Sequence, residues 1–495
     1  MTGIRGSLER ALQIKKMSIG VVDAISAEDI GQFPDSSIGE AIGRIPGVTV
    51  NRGSLNQMNS AGAPTATGAV TGITVRGFGD QFNELLVDGR QEASGNGQSF
   101  DYSTMSANYI GEVDVHKTPD FSLSAGAVGA TINVKFPNPF DNPGLHAQAF
   151  GSATNYELDG GTRPAFGALF SDTFADGKFG ILIDGDYTDH HVYGNHQDIV
   201  GWKAAKLPCS AFDQNYTTVF GSTGCATVGS GATGNAAVPA WYPQDMAMYV
   251  ERTNSQRKDG RVAFQWHPAD AVLVTIDDNY SSDDEHQDRF QRSTWFGVFP
   301  ANGAANVVLD GNGTITNFTD NGPTDFNSFV SDTYIVTNTP GLNVVWDVND
   351  DWTAEFDADQ STSKMNPNGT ISDIDADVGY GPNTSVGTNG YSGGVVLNQN
   401  PNVLPYWSAT GPNTVASGAS PVISPNYLGL NPYIIGSHVL PLQTQQNSDK
   451  INEAKLDATW RAGSTKVNFG LQFLDDLWNS TESDTFTNNY WQLWS

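Results

Sequence analysis

Four groups of residues have types and spacings that chemistry could use. Gly390-Tyr391-Ser392-Gly393-Gly394 has the outline of a nucleophile elbow, in which a serine stands exposed on a sharp strand-to-helix turn. No helix pattern follows it and no acid and histidine partners can be identified, so hydrolysis lacks its machinery. His190, His191 and His196 with Asp189 and Asp198 are the residue types of a metal site, but their spacing matches no established ligand pattern, and a solvated loop is the commoner setting for such a group. Asp373-x-Asp375-x-Asp377 opens like a calcium loop, yet the twelfth position is Thr384 where a bidentate glutamate belongs. Gly77-x-Gly79 lacks the third glycine and the following helix of a dinucleotide fold. No catalytic residue, metal site or cofactor is assigned from these motifs. The chain reads as a non-enzyme, and its function has to be sought in how its elements are built.

The 495 residues include 54 Gly, 25 Phe, 16 Tyr and 11 Trp with only 16% charged side chains, a mixture that suits β-structure more than a helical enzyme. Apolar runs such as Ile181 to Ile183 and Val395 to Leu397 fall far short of the ~18 residues a spanning helix needs. A barrel strand shows lipid only its alternate residues, so segments of ~10 residues can cross a membrane while the average stays polar. The mean hydropathy of −0.33 therefore leaves a membrane location open. A net charge of −29 excludes nucleic acid as a natural partner and is compatible with cations bridging the surface to lipopolysaccharide. Cys209 and Cys225 lie 16 apart in a Gly/Thr-rich stretch, where a loop-closing disulfide and two free thiols are both open readings. The first residues, MTGIRGSLERALQIKK, hold no apolar signal-peptide core, so the protein either stays inside or has its start missing.

The organisation along the chain falls into three parts. Residues 1–17 read as a linker with a short helical stretch over 5–16. Residues 18–140 read as a small α+β domain: a strand in SIGVVDAISAEDI, then a helix capped by Asp35 or Ser36, with Ile38, Ala41, Ile42 and Ile45 forming one buried stripe before Pro46-Gly47. Short strands are expected at Val48 to Asn51, Ile73 to Arg76, Glu84 to Val87, Glu112 to His116 and Thr131 to Lys135, with a turn at Asp88-Gly89. From 141 to 495 the pattern changes to long alternation. Val262, Phe264 and Trp266 alternate with Arg261, Ala263, Gln265 and His267; Trp352, Ala354, Phe356 and Ala358 alternate with Thr353, Glu355, Asp357 and Asp359. Ala454, Leu456, Ala458 and Trp460 do the same.

Short turns are expected at 175–178, 267–271, 348–351 and 461–464, and long polar segments at 191–245, 285–328 and 365–447. Short on one side and long on the other is the arrangement of an outer-membrane barrel. Tyr187, Trp266, Trp346, Trp352 and Trp460 would then form interfacial girdles. About nine strands are counted where a plugged transporter needs roughly 22, so the barrel cannot close with these strands alone.

Three stretches carry a resemblance: VVDAISAEDIGQFPDSSIGEAIGRIPGV (21–48), ITVRGFGDQFNELLVDGR (73–90) and EVDVHKTPDFSLSAGAVGATINVKFPNPFD (112–141). Together they resemble the plug of the TonB-dependent receptors, and specifically the subtype abundant in Xanthomonas- and Caulobacter-like bacteria. One departure is Gly129-Ala130, where the family usually has two glycines. The resemblance implies an α+β plug domain followed by an antiparallel transmembrane β-barrel, here truncated to about nine strands, in the bacterial outer membrane. It also implies that the opening Met1-Thr2-Gly3-Ile4-Arg5 follows a missing signal peptide and TonB box.

The implied activity is energy-coupled uptake of a large nutrient, with the TonB-ExbB-ExbD complex, outer-membrane lipid and lipopolysaccharide as partners. Oligosaccharide is the preferred ligand, a ferric siderophore the alternative, and a non-transporting surface receptor or adhesin the competing class. The residues singled out for the plug are Arg76, Gly77, Asp88, Gly89, Arg90, Gly126 and Gly129. Arg76 and Arg90 have two open readings, a place where plug meets lumen carboxylates such as Glu355 or Asp357 and, for Arg90, a position flanking a solvated turn, while the glycines are expected to serve backbone geometry. Candidate ligand contacts are Asn56, Asn59, Phe100, Tyr102, Tyr406 and Trp407, because aromatic faces and amides suit sugar stacking and hydroxyl bonding, although a small core within the loops needs the same aromatics and is the commoner role for any one of them.

Overall fold

A computed structural model describes residues 11–18, 20–26, 37–51, 70–95, 99–120, 123, 127–208, 218–219, 222–223, 237–295, 305–322, 324–367, 373–380, 393–398, 406–412, 435–439 and 442–484, apart from single positions 159, 311 and 464. The first domain is built from β1 (Val22–Ser26), helix α1 (Ile38–Ile42), β2 (Val48–Asn51), β3 (Gly72–Val75), β4 (Asn83–Val87), β5 (Arg90–Gln91), β6 (Glu112–His116) and β7 (Ala130–Lys135). Five of these strands form one mixed sheet in the order β1-β6-β7-β4-β5, and β2 pairs with β3 separately. Val113, Val115, Ile132, Val134, Leu85 and Val87 alternate onto one face of the sheet and meet Ile38, Ala41, Ile42 and Ile45 from the helical segment. The opposite face carries Glu112, Asp114, Asn133 and Lys135, where Lys135 bridges Glu112 and Asp114 at 2.7 and 2.6 Å. The strands stand within a residue of their expected bounds. The helix does not start where its side chains suggested: its N-cap is Ser37, which makes no side-chain capping bond, so neither Asp35 nor Ser36 takes that position.

The rest of the chain is a meander of long antiparallel strands. In order these are β8 (His146–Tyr156), β9 (Gly161–Phe174), β10 (Phe179–Pro208), the two-residue pair β11 (Thr218–Val219) and β12 (Ser222–Thr223), β13 (Ala237–Ala269) and β14 (Val272–Trp295). Then come β15 (Ala305–Leu309), β16 (Ile315–Gly322), β17 (Thr324–Asn349), β18 (Trp352–Met365), β19 (Asp373–Tyr380), β20 (Gly393–Asn398), β21 (Tyr406–Pro412), β22 (Ile435–Val439), β23 (Leu442–Ala462) and β24 (Thr465–Asp484). Nine long strands make one wall, β8-β9-β10-β13-β14-β17-β18-β23-β24, with β19 and β22 continuing its upper part; β15, β16, β20 and β21 form a separate four-stranded sheet. Among the described residues the wall does not close, since β8 pairs only with β9 and β24 only with β23.

The short turns are as expected, but the described parts of the long segments are mostly strand. β10 and β13 stay paired from Phe179↔Trp266 to Pro208↔Ala237, so 191–208 and 237–245 extend the sheet. A polar sequence pairs as well as an apolar one once both partners continue in register, because the ladder bonds are made by the backbone. Asp373, Asp375 and Asp377 stand on β19, an extended strand and not a calcium loop. Tyr406 and Trp407, expected in a loop, lie on β21 paired to Asn398 and Leu397.

The wall is polar towards the first domain and apolar outwards. Phe170, Ile183, Val262, Ile276, Phe356 and Leu456 are exposed on the outer face, whereas Arg257, Arg261, Asp277, Thr339 and Ser361 are buried on the inner one. Near the short turns Phe179 stacks on Trp266 with ring centroids 6.4 Å apart, and Trp352 meets Trp460 at 6.5 Å. On β14 the outward positions Val272, Val274 and Ile276 are apolar, and Asp278 separates them from Tyr280.

Ile132 lies fully buried at the centre of the first domain's core. Ile132→Ala should destabilise that domain by about 2–5 kcal/mol. The measurement is the urea midpoint for protease cleavage within residues 20–135, which should fall while the midpoint for the wall is unchanged.

Candidate functional site

The turn Asp88-Gly89 has positive φ at both residues, 51° and 82°, the geometry of the tight hairpin turn that joins β4 to β5. Glycine meets this need without strain, and Asp88 is held there because its Oδ1 accepts the Phe136 N–H at 2.9 Å while its own N–H donates to the Val134 carbonyl at 2.7 Å. The next residue, Arg90, is thereby aimed out of the sheet into the wall. Its Nε and Nη2 donate to the two oxygens of Asp357 at 2.9 and 3.0 Å, and its Nη1 donates to both oxygens of Asp277 at 2.9 Å. The guanidinium is 4% exposed and the Asp277 carboxylate 2%. Burial opposes the charge on Arg90, but Asp357 and Asp277 outweigh it and hold its pKa above the ordinary arginine range.

The contact is reciprocated from the wall. Arg261 Nη2 donates to Asp88 Oδ2 at 3.3 Å and to Asn138 Oδ1 at 3.1 Å, and lies 3.6 Å from Asp277. Asp277 therefore stands between an arginine of the first domain and one of the wall. Burial pushes the Asp88 carboxyl up, with Arg261 offsetting part of that shift. Beyond the turn the segment climbs the wall by backbone contacts. Gln91 N–H donates to Glu453, Ala93 N–H to Ser361 Oγ at 2.9 Å and Ser94 N–H to Asp449 Oδ2 at 2.8 Å, while Lys455 reaches the Gly89 carbonyl. A cavity of about 880 Å³ opens beside the hairpin, lined by Arg90, Glu112, Lys135, Arg261, Asp277 and Asp357 among others.

The sequence-derived residues divide accordingly. Asp88, Gly89 and Arg90 come together at the wall with Asp357. Glu355 does not join them: it accepts from Asn343 Nδ2 at 2.8 Å, one step nearer the short turn than the hairpin tip reaches. Arg76 is a correction. With φ 54° it folds back on its own domain and donates to the carbonyls of Val128 and Gly129 at 3.2 and 2.5 Å. Gly77 takes φ 82°, and Gly129 packs so tightly against Asn83 and Phe82 that a side chain would collide. Tyr102 takes the core role and not the ligand one: it is 3% exposed in the domain core with Val70 and the helix residues, and Phe100 lies edge-on to it at 5.3 Å. Asn56, Asn59, Gly126, Cys209, Cys225, Tyr391 and Ser392 lie outside the described residues.

The histidines stand on β10, where His191 Nε2 is 3.1 Å from Asp189, His190 Nδ1 is 3.1 Å from the Tyr156 hydroxyl and His196 stacks on Tyr249. Among the described residues no three His, Cys, Asp or Glu side chains are grouped to hold a metal ion.

Two residues of the site were missed by the sequence reading. Asp277 sat in an alternating strand like many other carboxylates. Gly341, on β17, left a clearer signal. A glycine inside a strand marks a close approach, and here a Cβ would fall 2.0 Å from Arg90 Nη1.

Comparison with known proteins agrees with this architecture at its N-terminal end. Residues 15–131 match the model of the TonB-dependent Receptor Plug Domain. No curated protein matches the chain. Among solved structures, a ferric enterobactin receptor (PfeA) mutant from Pseudomonas aeruginosa is 11% identical over 94% of this chain and 72% of that one, with a TM-score of 0.37. The siderophore receptor PirA from Acinetobacter baumannii is 11% identical over 95% and 77%, with a TM-score of 0.29. BauA, the ferric preacinetobactin receptor of the same species, is 10% identical over 94% and 76%, also with a TM-score of 0.29.

Removing Arg90 would leave two carboxylates buried without a counter-charge. Arg90→Ala should weaken docking of the first domain by about 3–5 kcal/mol. Arg90→Lys should recover little, because an ammonium cannot fork to two carboxylates. Gly341→Ala should act in the same direction by displacing the guanidinium. Limited proteolysis of the hairpin 83–95 in the folded protein reads all three; cleavage as slow as in the wild type would disprove the assignment.

The chain thus carries a TonB-dependent receptor plug domain followed by a large antiparallel sheet of barrel type, and is a protein of the bacterial outer membrane.

Proposed function

We propose that this chain serves energy-coupled uptake of a large nutrient across the outer membrane, with the plug as the part that moves. The observation that carries the proposal is the character of the plug–wall contact. The Arg90, Asp88, Asp277, Asp357 and Arg261 group and the bonds along Gln91 to Ser94 are polar throughout, while the plug's apolar core is turned inward on α1. Such a contact can part and fill with water while exposing little apolar surface, chiefly where Tyr109 meets Phe150 and where Met365 packs on Gly95. The sheet order supports the same reading: β1, the strand nearest the N-terminus, lies at one edge and β5, which bears Arg90, at the other. A pull delivered near the N-terminus by the TonB-ExbB-ExbD complex would reach the wall clasp last.

The ligand would be an oligosaccharide or a ferric chelate. The subtype resemblance favours the first, and the compared receptors are named for the second. The test is uptake by cells expressing the receptor, with and without TonB, offered radiolabelled oligosaccharides in one arm and siderophore-bound radio-iron in the other. Accumulation that requires both the receptor and TonB in one arm assigns the ligand class. TonB-independent accumulation, or none in either arm, overturns the import function.

A further inference from the structure

The outer face of the wall changes character a short way beyond its apolar positions. On β18 the outward side chains pass from Phe356 and Ala358 to Gln360, Thr362 and Lys364, and on β23 from Leu456 and Ala454 to Asn452 and Lys450. Thr362 pairs with Lys450 and Lys364 with Ser448, which sets the two lysines diagonally across neighbouring strands, roughly 7–8 Å apart. Both are exposed, and neither makes a hydrogen bond or ion pair among the described residues. Lys258, equally exposed and unpaired, shares the row of Lys364 through Ser282 and Val336, three strands and roughly 14 Å away. Like charges this close repel, and a chain of net charge −29 has carboxylates enough to neutralise them. The outward acids next to the pair are instead bonded to amides: Asp475 accepts from Asn452 Nδ2 at 3.5 Å and Asp278 from Asn338. Asp284, Asp288 and Asp332 follow a step or more farther from the apolar positions. From Ala454 to Lys450 is about 13 Å of strand at ~3.3 Å per residue, or about 10 Å of height at the ~40° tilt of barrel strands. The amines therefore stand at the level of lipid headgroups, on the side of the wall away from the short turns, which is the outer leaflet.

We propose that Lys364 and Lys450 form a docking site for the phosphomonoester headgroup of an outer-leaflet glycolipid, with Lys258 as an outlying third contact. Two adjacent ammonium groups match one phosphomonoester, which carries close to two negative charges at neutral pH, whereas a phosphodiester carries one. The acyl chains of the same lipid would lie on Phe356, Leu456 and Phe473, which are exposed on the outer face directly below the pair. The lysine stems can cover that apolar surface while the ammonium groups stay at the water boundary. A lipid held in this way would fix the depth of β18 and β23 in the membrane. The site depends on the outer-membrane location of the chain and stands whether or not import is shown.

The test is native mass spectrometry of the full chain in detergent, titrated with diphosphoryl lipid A and, in separate arms, with phosphatidylglycerol and inorganic phosphate. Lipid A should bind more tightly than phosphatidylglycerol, and its binding should weaken as pH falls below about 6, where the phosphomonoester loses its second charge. Lys364→Gln and Lys450→Gln should each weaken lipid A binding about fivefold, and the double substitution about thirtyfold. Lys364→Arg combined with Lys450→Arg should bind as the wild type does. Lys466→Gln, beside a short turn at the opposite end of β24, should bind as the wild type does too. Wild-type affinity in the double glutamine variant, or phosphatidylglycerol bound as tightly as lipid A, overturns the proposal. Displacement of lipid A by equimolar inorganic phosphate also overturns it, since the site would then take a free anion, and so does a dimer of the chain that requires the two lysines.

Discussion

The interface between plug and wall depends on one buried cation. Arg90 is charged under all ordinary conditions, and placing it in a dry contact is tolerable only if its donors are paired. Asp357 and Asp277 take four of those donor contacts, and the remainder of the local structure exists to deliver the guanidinium to them. The Asp88-Gly89 turn fixes the direction of departure, Asn133 secures the Gly89 N–H at 2.9 Å, and Gly341 leaves the space that the group fills. Once this contact is set, the register of the following segment against β18 and β23 is set with it, because Gln91, Ala93 and Ser94 have their N–H partners only in that position.

The polarity of the wall is the second constraint, and it makes the first possible. A soluble sandwich would turn Phe170, Val262, Ile276 and Phe356 inward and leave no carboxylates for a plug to meet. Here the outer face is apolar and the inner face supplies acids and hydroxyls, so the plug is held mainly by directional bonds. Near the short turns, aromatic rings meet across neighbouring strands, Phe179 with Trp266 and Trp352 with Trp460. Burial of the plug's own core depends on none of this, since Ile38, Ile42, Ile132 and Val134 are enclosed by the plug itself.

Much of this was legible in the sequence, for definable reasons. The stripe Ile38, Ala41, Ile42, Ile45 and the alternation in Glu112 to His116 are local patterns with fixed periods, and both elements stand where those periods put them. The short turns were readable for the same reason. Strand length was not, because pairing above the apolar band is carried by backbone bonds that leave no hydrophobic signature, as β10 shows beyond His191. The site was legible in part. Arg90 beside a positive-φ turn, set against a strand of alternating carboxylates, suggested a partner on the wall, and Asp357 meets it. Arg76 looked the same in sequence and turned inward, since its own left-handed backbone directs it at Gly129. Tyr102 illustrates the ambiguity of an aromatic in a polar loop: the same ring suits a ligand or a core, and only the neighbouring Val70 and Ile73 decide.

A contact this specific can still be a moving part, because deleting one partner and separating an intact pair are different processes. Deletion strands a charge in a dry site, and the buried group bears the whole desolvation penalty. Separation into water returns hydration to Arg90, Asp277 and Asp357 together, so most of the lost pairing is recovered as solvation. The adjoining cavity of about 880 Å³ gives water a place from which to enter. An apolar seam of equal strength would offer no such exchange, since water worsens it at every step of opening. Charged pairing therefore fixes where the plug sits while leaving the work of moving it small enough for an external pull. The demanding geometry of Arg90 supplies specificity of position, and rehydration supplies reversibility.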